Sequence, residues 1–293
     1  MIAVDWGSSS LRAWRLDDAG IVLERRRADL GALAPAGTHA AVLAGQLDGW
    51  DDARILICGM AGARGGWVEA PYVPCPANAQ QIARSLVRPS LDGTGLQGRD
   101  VHIVPGVSDR TSHVPDVMRG EETQVMGLLA TRPQAALLCL PGTHSKWIAC
   151  QDGVITGLST AMTGETYALF RHHSMLARTM PERDGSWDAD AFDAGVARSR
   201  EPGGMLHHLF GLRALALADA LAPEQAPAYL SGLLVGHEIG ARQPPPGQVI
   251  HLIGGSHLVA PYQRALQAFG LVADIHHEDL SAAGLSLLAR LAP

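Results

Sequence analysis

The chain has 293 residues, 47% of them hydrophobic and 18% charged, a composition typical of a folded protein with about two domains. A net charge of −6 and a pI near 6.1 provide no broad basic surface, so we expect no nucleic-acid partner. The N-terminus lacks the basic and apolar regions of a secretory signal, and no apolar run reaches the roughly 18 residues of a membrane span. We therefore expect a cytoplasmic protein with no membrane partner, and the sequence carries no signal of oligomeric state.

Strands and helices alternate in the predicted first half of the chain. The three N-terminal strands are separated by short stretches rich in turn-forming residues, which predicts an antiparallel meander. The strand at 54–58 has no polar alternation, so we expect it to be buried on both faces of a sheet covered by helices. In chain order, the predicted elements are strands at 2–6, 11–16 and 21–27, a helix at 38–47, a strand at 54–58, a helix at 78–86 and a strand at 101–104.

The second half repeats this pattern, so the duplicated unit begins at residue 2 and again at residue 136. Internal duplication predicts two like domains that face each other across a cleft. We place them at residues 1–110 and 111–293. The predicted elements of the second half are a helix at 121–129, strands at 136–140, 146–150 and 154–159, helices at 166–176, 189–198, 205–220 and 225–241, a strand at 248–253, a helix at 257–269, a strand at 271–275 and a helix at 280–291.

The turn after the first strand has the composition of a phosphate-binding turn. Successive backbone N–H groups in such a turn form a concave anion site, and small side chains let phosphate oxygens approach. Asp5 stands at the strand end and is expected to hold Mg²⁺, through water because this ion keeps part of its hydration shell. A plain serine-rich hairpin is the alternative interpretation. The predicted ATP-binding residues of this turn are Gly7, Ser8, Ser9, Ser10 and Arg12.

A second turn of this kind stands at the equivalent place in the second half. Two phosphate-type turns related by internal duplication are less expected by chance than one. The turn leads into Lys146, the only lysine among the 23 lysines and arginines, which suggests that a compact point charge is required there. The predicted ATP-binding residues of this turn are Gly142, Thr143, His144 and Ser145.

A third glycine turn follows the predicted strand at 248–253. It joins this strand to the start of a helix and can accept the flat face of an adenosine. The predicted residues are Gly254, Gly255 and Ser256.

Cysteines and histidines give weaker signals. The four cysteines contain no CxxC pair, and two lie in apolar strand-like runs, so we expect buried free thiols rather than a disulfide or a metal site. Adjacent histidines occur at 172–173, 207–208 and 276–277. Because neighbouring residues do not share a helical face, we do not expect these pairs to bind metal.

Six stretches, spread in order over nearly the whole chain, form a recognisable set of motifs. They are DWGSSSLRAW at 5–14, GMAGARGGWVEAPY at 59–72, MRGEETQ at 118–124, PGTHSKW at 141–147, TAMTGE at 160–165 and SGLLVGHE at 231–238. With them the chain resembles the superfamily of acetate and sugar kinases, heat-shock cognates and actin, and in detail the 2-dehydro-3-deoxygalactonokinase family.

The resemblance implies an α/β fold of two similar ribonuclease H-like, actin-like ATPase domains, each a mixed sheet with helices on both faces, flanking a nucleotide cleft. It also implies that ATP phosphorylates the 6-hydroxyl of the sugar acid 2-dehydro-3-deoxy-D-galactonate during galactonate breakdown.

The resemblance also directs the search for a catalytic base. Many superfamily members carry an acidic residue in the second phosphate turn, where this chain has Pro141, so the base must come from elsewhere. In glycerol and xylulose kinases a Gly-Asp pair before this turn supplies it, and Gly120 and Glu121 occupy the corresponding place. Glu122 would point about 100° away around a helix, so we favour Glu121. The alternative is that Glu121 only stabilises the start of the helix, through the favourable interaction of its negative charge with the helix dipole. Lys146 is the second predicted catalytic residue.

The predicted sugar-acid site lies at the end of the strand at 54–58. Arg119 is expected to grip the substrate carboxylate with its planar fork, and a salt bridge with Glu122 is the alternative. Another kinase of the same superfamily, acting on a different sugar acid or polyol, and a non-metabolic actin-like ATPase are the competing interpretations. The other predicted substrate-binding residues in this loop are Gly59, Met60, Gly62 and Trp67. The family resemblance alone implies that Thr163 and Glu165 also bind the substrate.

Overall fold

The structure is a computed structural model that describes residues 1–32, 37–91, 95–183 and 185–293. Three sheets and a set of helices account for most of these residues. The strands are β1 (Ile2–Trp6), β2 (Leu11–Leu16), β3 (Val22–Ala28), β4 (Arg54–Gly59), β5 (Tyr72–Pro74), β6 (Asp100–Ile103), β7 (Gly106–Asp109), β8 (Asp116–Met118), β9 (Leu137–Leu140), β10 (Ser145–Gln151), β11 (Val154–Ala161), β12 (Val249–Ile253) and β13 (Val272–His276).

The helices connect these strands at bounds close to those predicted. Short 3₁₀ helices cover Met60–Gly62 and Met175–Thr179. The α-helices are α1 (His39–Gln46), α2 (Ala79–Arg84), α3 (Glu121–Leu129), α4 (Thr163–His173), α5 (Ala189–Ser199), α6 (Gly204–Leu217), α7 (Ala226–Arg242), α8 (Ser256–Ala268) and α9 (Leu280–Leu291). Of the helices in the described ranges, none has both the length and the apolar composition that a membrane crossing requires.

The first sheet is mixed and has the strand order β3-β2-β1-β4-β6. β1 is antiparallel to β2, and β2 is antiparallel to β3, which confirms the predicted meander. β4 runs parallel to both β1 and β6. The carboxyl ends of the inner strands β1 and β4 therefore lie side by side.

Helices cover both faces of the first sheet. On one face, alternate residues of β1, including Ile2 and Val4, pack in a hydrophobic cluster with Leu43 of α1. On the other face, α9 contacts β1 and β4, and Ser281 of α9 hydrogen-bonds Asp5. Burial on both faces explains why β1 and β4 are apolar without alternation.

The second five-stranded sheet has the order β11-β10-β9-β12-β13. Numbered in chain order within each sheet, the strands of both five-stranded sheets follow the order third, second, first, fourth, fifth. This confirms the predicted duplication. β12 and β13 are parallel neighbours with His251 opposite Asp274.

A small third sheet, with the order β5-β7-β8, was not predicted. Its strands are three or four residues long and contain Pro74 and Gly106, residues that disfavour strands. The helix predicted at 166–176 begins earlier, at Thr163, and ends at His173. The chain then continues as the 3₁₀ helix, because the Ser174 side chain accepts a hydrogen bond from the Leu176 N–H and starts a new turn.

Contacts divide the described residues into two compact units. The first unit comprises Met1–Leu138, Trp147–Ser159 and Glu278–Pro293, and the second comprises Cys139–Lys146 and Thr160–His277. The domain boundary between residues 110 and 111 stays a prediction. Cys58, Cys139 and Cys150 are buried free thiols, as predicted, and Cys75 is partly buried.

Candidate active site

The first predicted phosphate turn joins β1 to β2. The Gly7 N–H donates to the Ser10 carbonyl over 2.9 Å and closes the turn. Ser8 and Ser9 are exposed, whereas the strands on either side are largely buried. The turn therefore presents small side chains and backbone to solvent at the end of a rigid hairpin, as an anion site requires.

Asp5 is buried at the end of β1 and is already paired. Arg12 donates to its Oδ2 atom over 2.8 Å, and the Ser281 hydroxyl donates to the same oxygen over 2.9 Å. Arg12 also forms an ion pair with Glu278. Burial opposes the charge of Arg12, but Asp5 and Glu278 outweigh this effect and raise its pKa. Arg12 is thus a fixed cation held between two carboxylates.

Two neighbouring glutamates begin α3 in different environments. Glu121 is partly exposed, and its Oε2 atom accepts from the Arg119 N–H over 3.0 Å. Glu122 is fully buried and accepts from the Gly120 N–H over 2.7 Å and from the Thr123 hydroxyl over 3.0 Å. Burial raises the pKa of Glu122 to about 8, and the charge of Glu121 adds to the shift. Glu121 is therefore the accessible carboxylate of the pair.

Backbone contacts place the start of α3 beside the carboxyl ends of β1 and β4. Gly59 and Gly120 have φ values of +94° and +109°, a backbone conformation that residues with a Cβ atom rarely adopt. A Cβ atom on Gly59 would lie 2.6 Å from the Trp6 carbonyl oxygen, and one on Gly120 would lie 3.1 Å from the Gly59 Cα. The two glycines thus bring Glu121 close to the predicted sugar-acid loop.

Helix α9 packs directly against α3. A Cβ atom on Gly284 would lie 1.9 Å from the Thr123 carbonyl oxygen, so the two helices cross in direct backbone contact. The same helix supplies Ser281 to Asp5. One C-terminal helix therefore positions both the Asp5 side chain and the helix that carries Glu121.

The loop after β4 contains the predicted sugar-acid residues. Met60 begins a short 3₁₀ helix that ends at Gly62, and the Trp67 ring stacks on the buried His39 ring with a centroid distance of 6.3 Å. Trp67 is partly buried against the core of the first unit. Its position is therefore fixed by packing.

Arg119 lies next to this loop. Its Nη2 atom donates to the Ala70 carbonyl over 2.8 Å, and its guanidinium lies 4.3 Å from the Tyr72 ring centroid. A Cβ atom on Gly62 would lie 3.0 Å from its Nη1 atom. Among the described residues, its Nε and Nη1 atoms are buried without a hydrogen-bond partner, which is unusual for such strong donors.

The second predicted phosphate turn joins β9 to β10. Thr143 and His144 are exposed, and Ser145 and Lys146 are buried. The Lys146 ammonium group donates to the Thr160 hydroxyl over 2.8 Å. As in the first turn, exposed small or polar residues precede a buried strand.

The start of α4 packs directly on this turn. A Cβ atom on Gly164 would lie 2.4 Å from the Gly142 carbonyl oxygen, and the Glu165 N–H donates to the Thr143 carbonyl over 2.9 Å. The Glu165 side chain also contacts His144, with 2.5 Å between Oε2 and Nε2. The structure thus brings Glu165, predicted from the family as a substrate residue, to the second phosphate turn.

A buried hydrogen-bond network behind the turn was not predicted. Ser145 contacts the Tyr262 hydroxyl over 2.7 Å, and Tyr262 donates to Glu238 over 2.6 Å. Thr163 donates to the same carboxylate oxygen. Burial and the nearby Glu238 raise the pKa of Tyr262 well above its usual value, so it stays a donor. The charged residue Glu238, buried in the largely apolar helix α7, was a sequence signal for this network.

The third predicted turn joins β12 to α8. Gly255 is the N-cap residue of α8, and Ser256 is exposed in its first turn. The Gly254 N–H donates to the His276 carbonyl over 3.2 Å. The turn thus has a partly exposed glycine backbone beside a helix N-terminus.

Comparisons with known proteins give a consistent result. The model of the 2-keto-3-deoxy-galactonokinase family matches residues 5–288. A Rhizobium meliloti (strain 1021) relative, named Probable 2-dehydro-3-deoxygalactonokinase DgoK1, is 40% identical over 300 residues, covering 98% of this chain and 96% of the relative. The 2-dehydro-3-deoxygalactonokinase of Escherichia coli (strain K12) is 36% identical over 274 residues, covering 92% of this chain and 90% of the relative.

A solved structure extends the likeness to the fold. The crystal structure of a Sinorhizobium meliloti protein assigned as a 2-dehydro-3-deoxygalactonokinase matches with a TM-score of 0.88 and 38% identity. The match covers 99% of this chain and 95% of the other. With the mixed sheets described above, this likeness confirms the predicted α/β fold class.

Proposed function

Because the chain belongs to the 2-keto-3-deoxy-galactonokinase family, we propose that it transfers the γ-phosphoryl group of ATP to the 6-hydroxyl of 2-dehydro-3-deoxy-D-galactonate. The products are 2-dehydro-3-deoxy-6-phospho-D-galactonate and ADP, and the reaction is a step of galactonate breakdown. The observation that carries the proposal is the family match across residues 5–288. A cytoplasmic location, where ATP is available, fits this reaction.

The two similar turns are the proposed binding elements for the ATP phosphates. Each presents exposed residues of the type that phosphate oxygens approach, Ser8 and Ser9 in the first turn and Thr143 and His144 in the second. The cation Arg12 stands just after the first turn, and Lys146 just after the second. We assign the adenosine to the glycine turn at 254–256, because its partly exposed backbone can accept a flat ring.

Asp5 is the proposed contact for Mg²⁺, which would neutralise charge on the ATP phosphates when bound. A carboxylate oxygen is the donor type that this ion prefers. Arg12 and Ser281 already donate to the Oδ2 atom of Asp5. Contact through water fits this arrangement, since it leaves the ion pair intact.

Glu121 is the proposed catalytic base. It is the accessible member of the glutamate pair, and its carboxylate is held by the Arg119 N–H at the start of α3. It would accept a hydrogen bond from the substrate hydroxyl, while Lys146 neutralises charge on the transferring group. Because the transition state of phosphoryl transfer is loose, positioning and charge neutralisation supply most of the rate.

The sugar acid is assigned to the loop after β4. Arg119 has two buried donor atoms with no hydrogen-bond partner in the described part of the chain, which is the donor capacity that a substrate carboxylate would use. The backbone of Gly59, Met60 and Gly62 and the fixed Trp67 ring would shape the rest of this site. Thr163 and Glu165 stand beside the second phosphate turn, where they would support the end of the substrate that accepts the phosphate.

A substrate panel tests the proposal. We expect Mg²⁺-dependent ADP release with 2-dehydro-3-deoxy-D-galactonate, and a lower kcat/KM with its gluconate epimer and with simple polyols such as glycerol. An Arg119→Ala variant should raise KM for the sugar acid while leaving KM for ATP near its original value. A higher kcat/KM for another acid or polyol would assign the chain to a different substrate, and release of ADP that ignores every acceptor would indicate an actin-like ATPase.

A further inference from the structure

Three metal-ligating side chains meet at the edge of the second five-stranded sheet. β12 and β13 are parallel, with His251 opposite Asp274 in register. His276 follows Asp274 by two residues on β13, so both project from the same face of the strand. Rigid paired strands, rather than a loop, therefore bring His251, Asp274 and His276 together.

The three ligand atoms form a small triangle. His251 Nδ1 lies 3.0 Å from His276 Nε2 and 3.3 Å from Asp274 Oδ2, and the remaining edge, from His276 Nε2 to Asp274 Oδ2, is 3.4 Å. A tetrahedral zinc ion with bonds of about 2.0–2.1 Å needs ligand atoms about 3.3–3.4 Å apart. The triangle thus has nearly the size of one face of a zinc coordination tetrahedron.

From this geometry we propose that His251, Asp274 and His276 bind one divalent ion of the zinc class, with water at the fourth position. Imidazole nitrogens and one carboxylate oxygen are the donors that such ions take, whereas Mg²⁺ prefers oxygen ligands alone. The histidine side chains are about nine-tenths buried, 11% and 12% exposed, and Asp274 is 33% exposed. Asp274 therefore leaves a route for the ion and room for a water ligand.

The site shares no residue with the proposed magnesium contact at Asp5. Its ligands come only from β12 and β13, so a bound ion would join the edge strand β13 to its neighbour. Binding to the folded state alone stabilises a protein by mass action. We therefore expect the ion to raise the thermal stability of the protein.

A second histidine pair supplies a matched control. His208 Nδ1 lies 2.9 Å from His237 Nε2, nearly the same separation as in the proposed site. Within the described ranges, His251, Asp274 and His276 are the only group of three or more metal-ligating side chains at this spacing. The His208 pair thus reproduces the contact between the rings without the third ligand.

The experiment measures metal binding directly on the full chain after removal of metal by a chelator. Zn²⁺ is titrated in competition with a chromogenic chelator, and Co²⁺ is titrated while its visible absorption is recorded. We expect one equivalent of Zn²⁺ and intense Co²⁺ bands typical of tetrahedral coordination. His251→Gln and Asp274→Asn should each abolish this stoichiometric binding and the rise in Tm with Zn²⁺, whereas His237→Gln should retain both.

Three outcomes would overturn the proposal. They are the absence of stoichiometric binding by the unmodified chain, retained binding in both His251→Gln and Asp274→Asn, and equal loss in His237→Gln. The Co²⁺ spectrum of the unmodified chain requires no variant, so weak bands typical of six-coordinate Co²⁺ would also count against the site. Circular dichroism of each variant separates loss of a ligand from loss of the fold.

Discussion

Two adjacent glutamates at the start of α3 differ because one reaches solvent and the other does not. Glu121 stands at the first helical position, where a negative charge is favoured by the helix dipole. Glu122 points into the protein and pairs with the Gly120 N–H and the Thr123 hydroxyl. The pair thus divides into an accessible carboxylate and a buried group that helps to hold the helix start.

Replacing Glu121 with glutamine tests the proposed base. Because glutamine retains an acceptor for the Arg119 N–H but cannot take a proton, we expect kcat to fall by about 10²-fold or more. Steady-state kinetics with saturating ATP and sugar acid would measure it. Glu224→Gln, at an exposed position before α7, should leave kcat unchanged. A near-normal rate for Glu121→Gln, or a loss found in Glu122→Gln instead, would contradict the assignment.

Glu122 should make stability depend on pH. Its pKa of about 8 in the folded protein lies above the ordinary value of 4.5, so the folded state keeps a proton that the unfolded chain releases. The free energy of unfolding should therefore fall as pH rises from about 4.5 to 8. Urea unfolding of the Glu122→Gln variant should show a smaller fall across this range. Equal slopes for the two proteins would show that Glu122 ionises normally.

Among the secondary-structure elements, α4 and the second phosphate turn pack directly against each other. Gly164 lets the first turn of the helix contact the Gly142 carbonyl, and Glu165 binds the Thr143 carbonyl through its N–H. The Ser145, Tyr262 and Glu238 network holds the other side of the turn. These contacts therefore hold the backbone of this turn from both sides.

A methyl group at residue 164 should disturb this turn. In Gly164→Ala the Cβ atom would lie 2.4 Å from the Gly142 carbonyl oxygen, so helix and turn must separate. We expect a loss of about 1–3 kcal/mol in the free energy of unfolding and a higher KM for ATP. Gly211→Ala in α6 is the matched control, since nothing lies within 4 Å of its Cβ position, and it should stabilise by about 0.5–1 kcal/mol. If Gly164→Ala and Gly211→Ala changed the free energy of unfolding and KM for ATP alike, close packing of α4 on the turn would be disproved.

Local sequence signals predicted the longer elements well. The bounds of β1, β2, α3 and α9 are those expected from apolar pattern and turn residues. The strands β5, β7 and β8 were missed because each has only three or four residues. In addition, β5 pairs with β7, a segment distant from it in the chain. Short strands of this kind carry almost no periodic signal of their own.

At the scale of the whole molecule, the duplication was visible in the sequence but many partners of the site residues were not. Ser281 is separated from Asp5 by 276 residues, and Tyr262 from Ser145 by 117. These contacts depend on how helices pack on sheets, which local pattern does not encode. The pairing of β12 with β13, which places His251 beside His276, is likewise absent from the local pattern of adjacent histidines.

Direct observation of phosphoryl transfer tests the central claim that this chain is a sugar-acid kinase. Purified protein is incubated with ATP, Mg²⁺ and 2-dehydro-3-deoxy-D-galactonate, and the reaction is followed by phosphorus NMR. We expect one new phosphate monoester, coupled to the methylene protons at carbon 6 and formed in the same amount as ADP. Inorganic phosphate appearing with ADP at a rate unaffected by the sugar acid, with no monoester, would contradict it.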